Sequence, residues 1–316
     1  MNQRRVNTLK EAALGYLFLA PALILLLVFE IFPVFYGFYI SMCDWRLSCT
    51  RFVFFDNYLN AFKDPEMWHS LLVTATYAII SIPLQLSLGL VLAYLLFQKI
   101  KGIQVFRMLY FLPYITTTVA SAAVWAYLYS PDIGLINRLL ALMNLPQLKW
   151  LGEPKGIFEM AFSAMNLAIP SWAAGPSLAL VSLIIYTTWV FVGYDIVIFL
   201  AGLGGIPKDL YDAAKVDGAS GWLLFREITL PLLSPTTYFL LVITVIGTFK
   251  AFNHIYLMTG GGPGNATTTA SLYIFQNMYQ NNVYGYSSAL SFIVFVVIMV
   301  MTVFQNNIAD KSVVYD

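Results

Sequence analysis

Few side chains in this sequence are of a kind and spacing that could perform chemistry. There are two histidines, His69 and His254, and neither sits among carboxylates at metal-ligand spacing, so neither hydrolysis nor a metal centre is expected. Two cysteines, Cys43 and Cys49, match no zinc or redox motif. They either close a small loop, if their segment faces an oxidising compartment, or remain thiols. The chain lacks a Gly-x-x-x-x-Gly-Lys-[Ser/Thr] phosphate loop and is therefore not expected to be an ATPase itself. Gly260-Gly261-Gly262-Pro263-Gly264 is rich in glycine, but it has no lysine and follows no strand, and it reads as a turn.

What remains is the chemistry of binding. Glu30, Asp195 and Lys250 fall inside long apolar runs, where an ionisable group is costly and marks a candidate site. Lys250, with Asn253 and His254 three and four residues on, makes a polar strip on one face of a helix. That strip, with Tyr194, Asp195, Phe252 and Tyr256, is read as lining a solute path. The alternatives are a packed, hydrogen-bonded Glu30 near the outer boundary and an Asp195 bonded to a neighbouring helix. Helix rise places Glu30 about 24 Å and Lys250 about 27 Å along their spans. Pairing with each other, exposure to a water-filled cavity, and binding of an anionic group on the solute all stay open. Thr116, Thr117 and Thr118 serve either as helix-packing donors or as solute ligands.

The elements that must position these residues are membrane helices. Of 316 residues, 59% are hydrophobic and only 10% charged, which excludes a soluble globular enzyme. A net charge of +1 gives no footprint for a nucleic acid. Six apolar stretches, about 14–42, 71–97, 105–129, 177–202, 232–258 and 286–304, are each long enough to cross a bilayer as a helix. Prolines 21, 33, 83 and 113 argue for kinks. The first apolar run continues well beyond Ala20-Pro21-Ala22, too far for a cleaved signal, so it is read as an uncleaved span.

With the N-terminus inside, the internal segments hold Arg4, Arg5, Lys10, Lys99, Lys101, Arg107, Lys208, Lys215, Arg226 and Lys311. The longer external segments hold Arg46, Arg51, Lys63, Arg138, Lys149 and Lys155. The positive-inside rule then puts both termini in the cytoplasm. Short interfacial helices are expected at 133–145 and 157–169, stopped by Pro146 and Pro170. The fold class is all-α and polytopic, one six-span domain over residues 1–316.

Between spans four and five, a cytoplasmic loop at about 204–231 starts a short helix at Pro207, with Asp209 and Asp212 near its positive end. Gly218 breaks it, giving a helix–Gly–helix element of about ten residues each way. Within it Asp212-Ala213-Ala214, then Asp217-Gly218-Ala219, then Ile228 and Leu230-Pro231 resemble the "EAA" motif of permease subunits in ATP-binding-cassette importers. Asp212 stands where most members carry Glu, one methylene shorter with its charge kept. Other stretches resemble the carbohydrate branch, of maltose and multiple-sugar type: Leu17–Pro21 followed by Pro33, Phe111-Leu112-Pro113, Gly134 with Ile136-Asn137, Trp150-Leu151, Phe199–Leu203 and Thr259–Gly264. About twenty residues around 156–176 are longer than the usual connection and have no assigned role.

The resemblance implies a type I importer permease fold in a prokaryotic cytoplasmic membrane, forming half of a pore for a sugar or oligosaccharide. It implies a second homologous permease subunit, two ATPase subunits that carry ATP and Mg, and an extracytoplasmic solute-binding protein. This chain itself would hold no cofactor. Asp212, Ala213, Ala214, Asp217, Gly218 and Ala219 would couple to the ATPase, and Gly260, Gly261, Gly262 and Pro263 would contact the binding protein. A related solute, such as an anionic saccharide or glycerol phosphate, is one alternative. An ion-coupled secondary transporter is another, without the paired broken helices or proton-relay carboxylates that it usually shows.

Overall fold

A computed structural model of the chain describes residues 3–46, 48–98 and 102–312; Lys99 and Lys101 of the charge pattern lie outside them. In chain order the elements are α1 (Gln3–Leu26), a π-turn (Leu27–Ile31), α2 (Phe32–Ser41), β1 (Cys43–Trp45), β2 (Cys49–Phe52) and α3 (Asp56–Lys63). Then come α4 (Pro65–Phe97), α5 (Ile103–Ile115), α6 (Thr118–Leu128), α7 (Leu135–Leu142), α8 (Ile157–Ala164) and α9 (Leu178–Gly205). The chain continues with α10 (Lys208–Val216), α11 (Trp222–Leu224), a π-turn (Phe225–Thr229), α12 (Leu230–Leu232), α13 (Ser234–Phe249) and α14 (Asn253–Met258). It closes with α15 (Ala270–Phe275), a π-turn (Gln276–Gln280) and α16 (Tyr284–Ser312).

Among the described residues, four stretches, Leu14–Ser41, Pro65–Phe97, Leu178–Gly205 and Tyr284–Ala309, are long and apolar enough to cross a bilayer; two bent pairs bring the number to 6 if each is one span. The expected span over 105–129, with its kink at Pro113, is one of these pairs. α5 and α6 meet at 95° across Thr116 and Thr117, both in extended backbone. Pro113 has already removed one helical hydrogen bond, and the Thr116 hydroxyl donates back to the Leu112 carbonyl at 2.9 Å, so the helix ends there. The other pair joins α11–α12 to α13 at 62°.

The expected span over 232–258 also stops early. α13 ends at Phe249, and Ser271 Oγ donates to the Phe249 carbonyl at 2.9 Å while Thr269 Oγ1 donates to the Ala251 carbonyl at 3.4 Å. Two side chains thus satisfy carbonyls that another helical turn would have used. The short helices expected at 133–145 and 157–169 end earlier than their prolines require. α7 and α8 each close on a left-handed asparagine, Asn144 (φ 57°) and Asn166 (φ 57°). The next amides, of Leu145 and Leu167, bond back to the carbonyls of Leu140 and Phe162 at 2.8 and 2.9 Å.

The chain divides into two units. The first comprises Met1–Asp64 and Ile274–Ile293. Its β1–β2 hairpin is closed by a Cys43–Cys49 disulfide, which settles the open question about those thiols. Asn57 Nδ2 donates to the carbonyls of Ser41 (2.9 Å) and Cys43 (3.0 Å), and the hydroxyls of Ser41 and Tyr58 are 2.7 Å apart. These bonds hold α3 at the end of α2. Gly285 permits α16 to lie against the hairpin, because a Cβ there would stand 2.1 Å from the Cys43 carbonyl oxygen.

The second unit, Pro65–Tyr273 with Val294–Asp316, has α9 at its centre. α9 is buried on most of its circumference, and α4 presents to it a stripe that includes Ala78, Ile82, Leu86, Ala93 and Leu96. Phe199, Leu203, Leu240 and Phe249 complete the core. Two glycines set the spacing. A Cβ on Gly89 of α4 would come within 2.8 Å of Asp195 Cβ, and one on Gly193 within 1.9 Å of the Tyr110 carbonyl oxygen of α5. Small residues let backbones approach where lipid supplies no hydrophobic drive between helices. Gly193→Val should therefore displace α5 and destabilise the unit by roughly 1–3 kcal/mol. Thermal unfolding of the purified protein in detergent is the measurement; an unchanged midpoint would show that the contact is not rigid.

Candidate functional site

Two features of the second unit have functional geometry, a cavity and a helical hairpin. The cavity, of about 290 Å³, lies among α4, α5, α6, α9, α13 and α14. Of the residues singled out in the sequence, Lys250, Asn253, His254, Tyr194, Asp195, Phe252 and Thr118 line it, while Thr116 and Thr117 do not. Tyr256 does not, although its ring stacks on Phe252 at 5.4 Å. The strip is not one helix face, because the helix ends before it. Lys250 caps α13, Phe252 is the N-cap of α14 with φ −139° and ψ −59°, and Asn253 and His254 begin α14. The polar groups converge because the chain turns there.

Their surroundings separate them. Lys250 and Asn253 are exposed, whereas His254 is buried with its Nε2 2.9 Å from Tyr77 Oη and 3.2 Å from Thr187 Oγ1. Tyr77 and Thr187 also bond each other at 2.5 Å. His254 is thus a tie between α14, α4 and α9, with its Nε2 already engaged. Asp195, fully buried, accepts one bond from Gln85 Nε2 at 2.7 Å, and its Oδ1 has no protein partner. Bonding to a neighbouring helix and lining the cavity are both true of it. Tyr114 stacks on Tyr194 at 5.0 Å and 28°, so α5, α9 and the end of α13 place an aromatic platform and a cation around one space. Such a lining has the aromatic faces and polar groups that stacking and hydrogen bonding with a hydroxyl-bearing ring would use.

Sequence reasoning missed Tyr77, Gln85, Tyr114 and Thr187. For the two on α4 a signal existed, since Tyr77 and Gln85 fall on its apolar stripe; Tyr114 reaches the cavity only because its span is broken.

The hairpin is built on α10. Pro207 caps the helix, Asp209 lies in its first turn and Lys215 in its last, matching the dipole. Gly218 has φ +85°, with its amide bonded to the Lys215 carbonyl (3.0 Å) and the Ala219 amide to that of Ala214 (2.9 Å). This left-handed cap demands glycine for its backbone alone, since nothing lies within 4 Å of where a Cβ would be. Asp212 pairs with Lys215 at 2.9 Å, with both side chains largely exposed, so the pair adds little stability. The expected second helix of about ten residues is present as Trp222–Leu232, where α11, a π-turn and α12 run on without a gap; the π-turn precedes Pro231, which cannot donate to the preceding turn.

Tyr211 Oη, 3.0 Å from the hydroxyl of buried Thr229, ties α10 to that π-turn. Phe225 packs against Tyr94 of α4 at 4.8 Å and against Trp222 at 5.3 Å. Beyond these ties the hairpin presents Leu210, Ala213, Val216 and Trp222 outward, with Val216 88% exposed.

The glycine-rich turn is a rigid loop. Gly260 (φ +60°) and Gly261 (φ +96°) take conformations that L side chains disfavour. Thr267 Oγ1 donates to the Gly262 carbonyl at 2.7 Å, and Thr268 Oγ1 to that of Gly261 at 3.1 Å. Asn265 binds the loop to α4 through His69 (3.1 Å) and Glu66 (3.1 Å). Gly260 is exposed at the turn and Gly261 is buried beneath it.

Comparison with known proteins gives consistent results. Residues 156–313 match the model of the family described as "Binding-protein-dependent transport system inner membrane component". The trehalose/maltose transport system permease protein of Thermococcus litoralis is 36% identical over 296 residues, covering 93% of this chain and 92% of its own. The lactose transport system permease protein of Rhizobium radiobacter is 30% identical over 295 residues, covering 92% of each. A chain of a bacterial alginate ABC transporter, solved with an alginate pentasaccharide-bound periplasmic protein, superposes with a TM-score of 0.80 over 98% of each chain. At 23% identity that likeness shows the fold.

Proposed function

The chain belongs to the family of binding-protein-dependent transport system inner membrane components, and on that premise we propose that it forms half of the pore of an ATP-driven importer for a sugar or oligosaccharide. It is a multi-pass membrane permease subunit. The observation that carries the mechanism is the α10 hairpin: an exposed small-and-apolar face on a glycine-capped helix, tied by Tyr211–Thr229 to the segment leading into α13. Such a face fits a groove on an ATPase subunit, the partner that supplies ATP and Mg; this chain holds no cofactor. Two ATPase copies, a second homologous permease and a solute-binding protein complete the assembly, and Gly260, Gly261, Gly262 and Pro263 form the turn offered to the binding protein.

ATP-driven closure of the ATPases moves α10, and α9 and α13 carry that displacement to opposite walls of the cavity. The pore then opens outward to accept solute, and hydrolysis resets it. Both termini lie in the cytoplasm of a prokaryotic cell. The Cys43–Cys49 disulfide supports this orientation, since it falls on the connection that the charge pattern places outside, where thiols oxidise.

Lys250 favours a second reading of the solute. It is a cation on the cavity wall, and an anionic saccharide or a glycerol phosphate would meet it directly.

Four outcomes follow. Gly218→Ala should cost only the backbone strain, about 1–2 kcal/mol locally, and keep most transport. Gly218→Trp and Asp212→Lys should abolish solute-stimulated ATPase activity while leaving membrane insertion intact; wild-type stimulation in both would remove α10 as the coupling element. Lys250→Met should weaken uptake of an anionic saccharide at least about tenfold more than that of a neutral one if the charge is recognised. An equal loss for both would assign Lys250 to hydroxyl recognition, and full transport of both would take it off the path. An impermeant thiol reagent should label Asn144→Cys in intact cells and Ser220→Cys only after lysis; labelling of Ser220→Cys from outside would overturn the orientation.

A further inference from the structure

The long connection at 156–176 is pinched shut at its base. Gly156 and Ser177 form an isolated antiparallel bridge, the Ile157 amide bonds the Pro176 carbonyl at 3.0 Å, and the Leu178 amide bonds that of Lys155 at 3.1 Å. Gly156 makes the closure possible, since a Cβ there would stand 2.0 Å from the Ala174 carbonyl oxygen. Ser177 is at the same time the N-cap of α9, its Oγ accepting from the Leu180 amide at 3.1 Å. The excursion is thus clamped to the end of a membrane-spanning helix, one residue before that helix begins.

What the clamp holds out is apolar. Phe158, Phe162 and Met165 recur at i, i+4 and i+7 on α8, which buries none of its residues, and Leu167 and Trp172 follow. Met165 is 68% exposed and Trp172 86%. Glu159 is the one charged residue from 156 to 176. An exposed apolar patch of this kind needs an occupant. We infer that residues 156–176 form an interfacial paddle, seated in the headgroup and upper acyl layer of the bilayer at the entry of α9.

Three observations select lipid as the partner. The first is reach. An eight-residue helix extends about 12 Å, so nothing on the paddle travels far from the point where α9 enters, and the headgroup layer there is roughly 5–8 Å thick. The second is charge, because a protein-facing patch normally carries a polar rim, and here one carboxylate serves the whole excursion. The third is repetition. α7, in the same connection, turns Leu135, Leu139 and Leu142 outward, with Leu142 80% exposed, while its Asn137 is buried and bonded to Pro131, Leu148 and Trp150. Two short helices with apolar stripes outward, α7 anchored inward by Asn137 and α8 held by the bridge at its base, suit the boundary between headgroups and acyl chains. The paddle then fixes the depth of the first turn of α9 while the far end of that helix follows α10.

The inference rests on the reading of α9 as a membrane span, and its test does not depend on transport or on sidedness. Cys43 and Cys49 are bonded, so a single introduced cysteine is the one free thiol. Trp172→Cys and Met165→Cys, each carrying an environment-sensitive fluorophore, are measured in the full complex in phosphatidylethanolamine–phosphatidylglycerol vesicles. The quenchers are shallow doxyl-labelled lipid in both leaflets and aqueous iodide. The expected result at both positions is doxyl quenching at least about twofold stronger than iodide quenching. Dominant iodide quenching would place the paddle in water, and protection from both quenchers would place a protein over it; either overturns the proposal. Failure of the orientation appears separately, as thiol labelling from the wrong side.

Discussion

The second unit depends on how closely helices can approach α9. In lipid there is no hydrophobic gain from bringing one apolar helix to another, so contact must come from dispersion and hydrogen bonds at short range. Gly89 and Gly193 supply that range on two sides of α9, against Asp195 and the Tyr110 carbonyl. Once the backbones are that near, buried polar groups find partners across the gap: Gln85 with Asp195, Tyr77 with Thr187, Ser121 with Tyr186. Each would be expensive alone in hydrocarbon and is tolerable only as a pair.

The cavity is a consequence of that packing and of two interruptions. α5 and α6 turn at Thr116 and Thr117, and α13 halts at Phe249, so neither closes the space beside α9. Irregular backbone at membrane depth persists only where it is buried in protein or lines a cavity, and both breaks have partners that satisfy it. Thr269 and Ser271 take the carbonyls at the end of α13. Lys250 therefore stands at a helix C-terminus, where the dipole favours its charge, as well as on the cavity wall.

The same two helices connect this space to the hairpin. α9 runs from the Ser177 cap past Asp195 and leads directly into α10. α13 begins beyond the π-turn that Tyr211 grips through Thr229 and ends at Lys250. α10 is thus joined to α9 and α13, two helices that both line the cavity. The left-handed cap at Gly218 keeps the return compact without filling the outer face.

The sequence by itself determined the solvent, the family resemblance and the helical hairpin built on α10. Scarce charge, apolar runs of bilayer length and the Asp212–Pro231 spacing are properties of consecutive residues, and consecutive residues dictate helices and caps. It also marked Lys250, Asn253, His254, Tyr194 and Asp195, because a polar group inside an apolar run is visible without a fold. Only the tertiary structure decided what each of them does. His254 turned inward to Tyr77 and Thr187 while Lys250 and Asn253 stayed open, because α13 ends at Phe249, where the Ser271 hydroxyl takes its last carbonyl and that of Thr269 the Ala251 carbonyl just beyond. Asn144 and Asn166, not the prolines beyond them, closed α7 and α8. Periodicity reports which face of a helix is apolar. Where the helix stops depends on which distant side chain reaches its free carbonyls, and no local pattern encodes that.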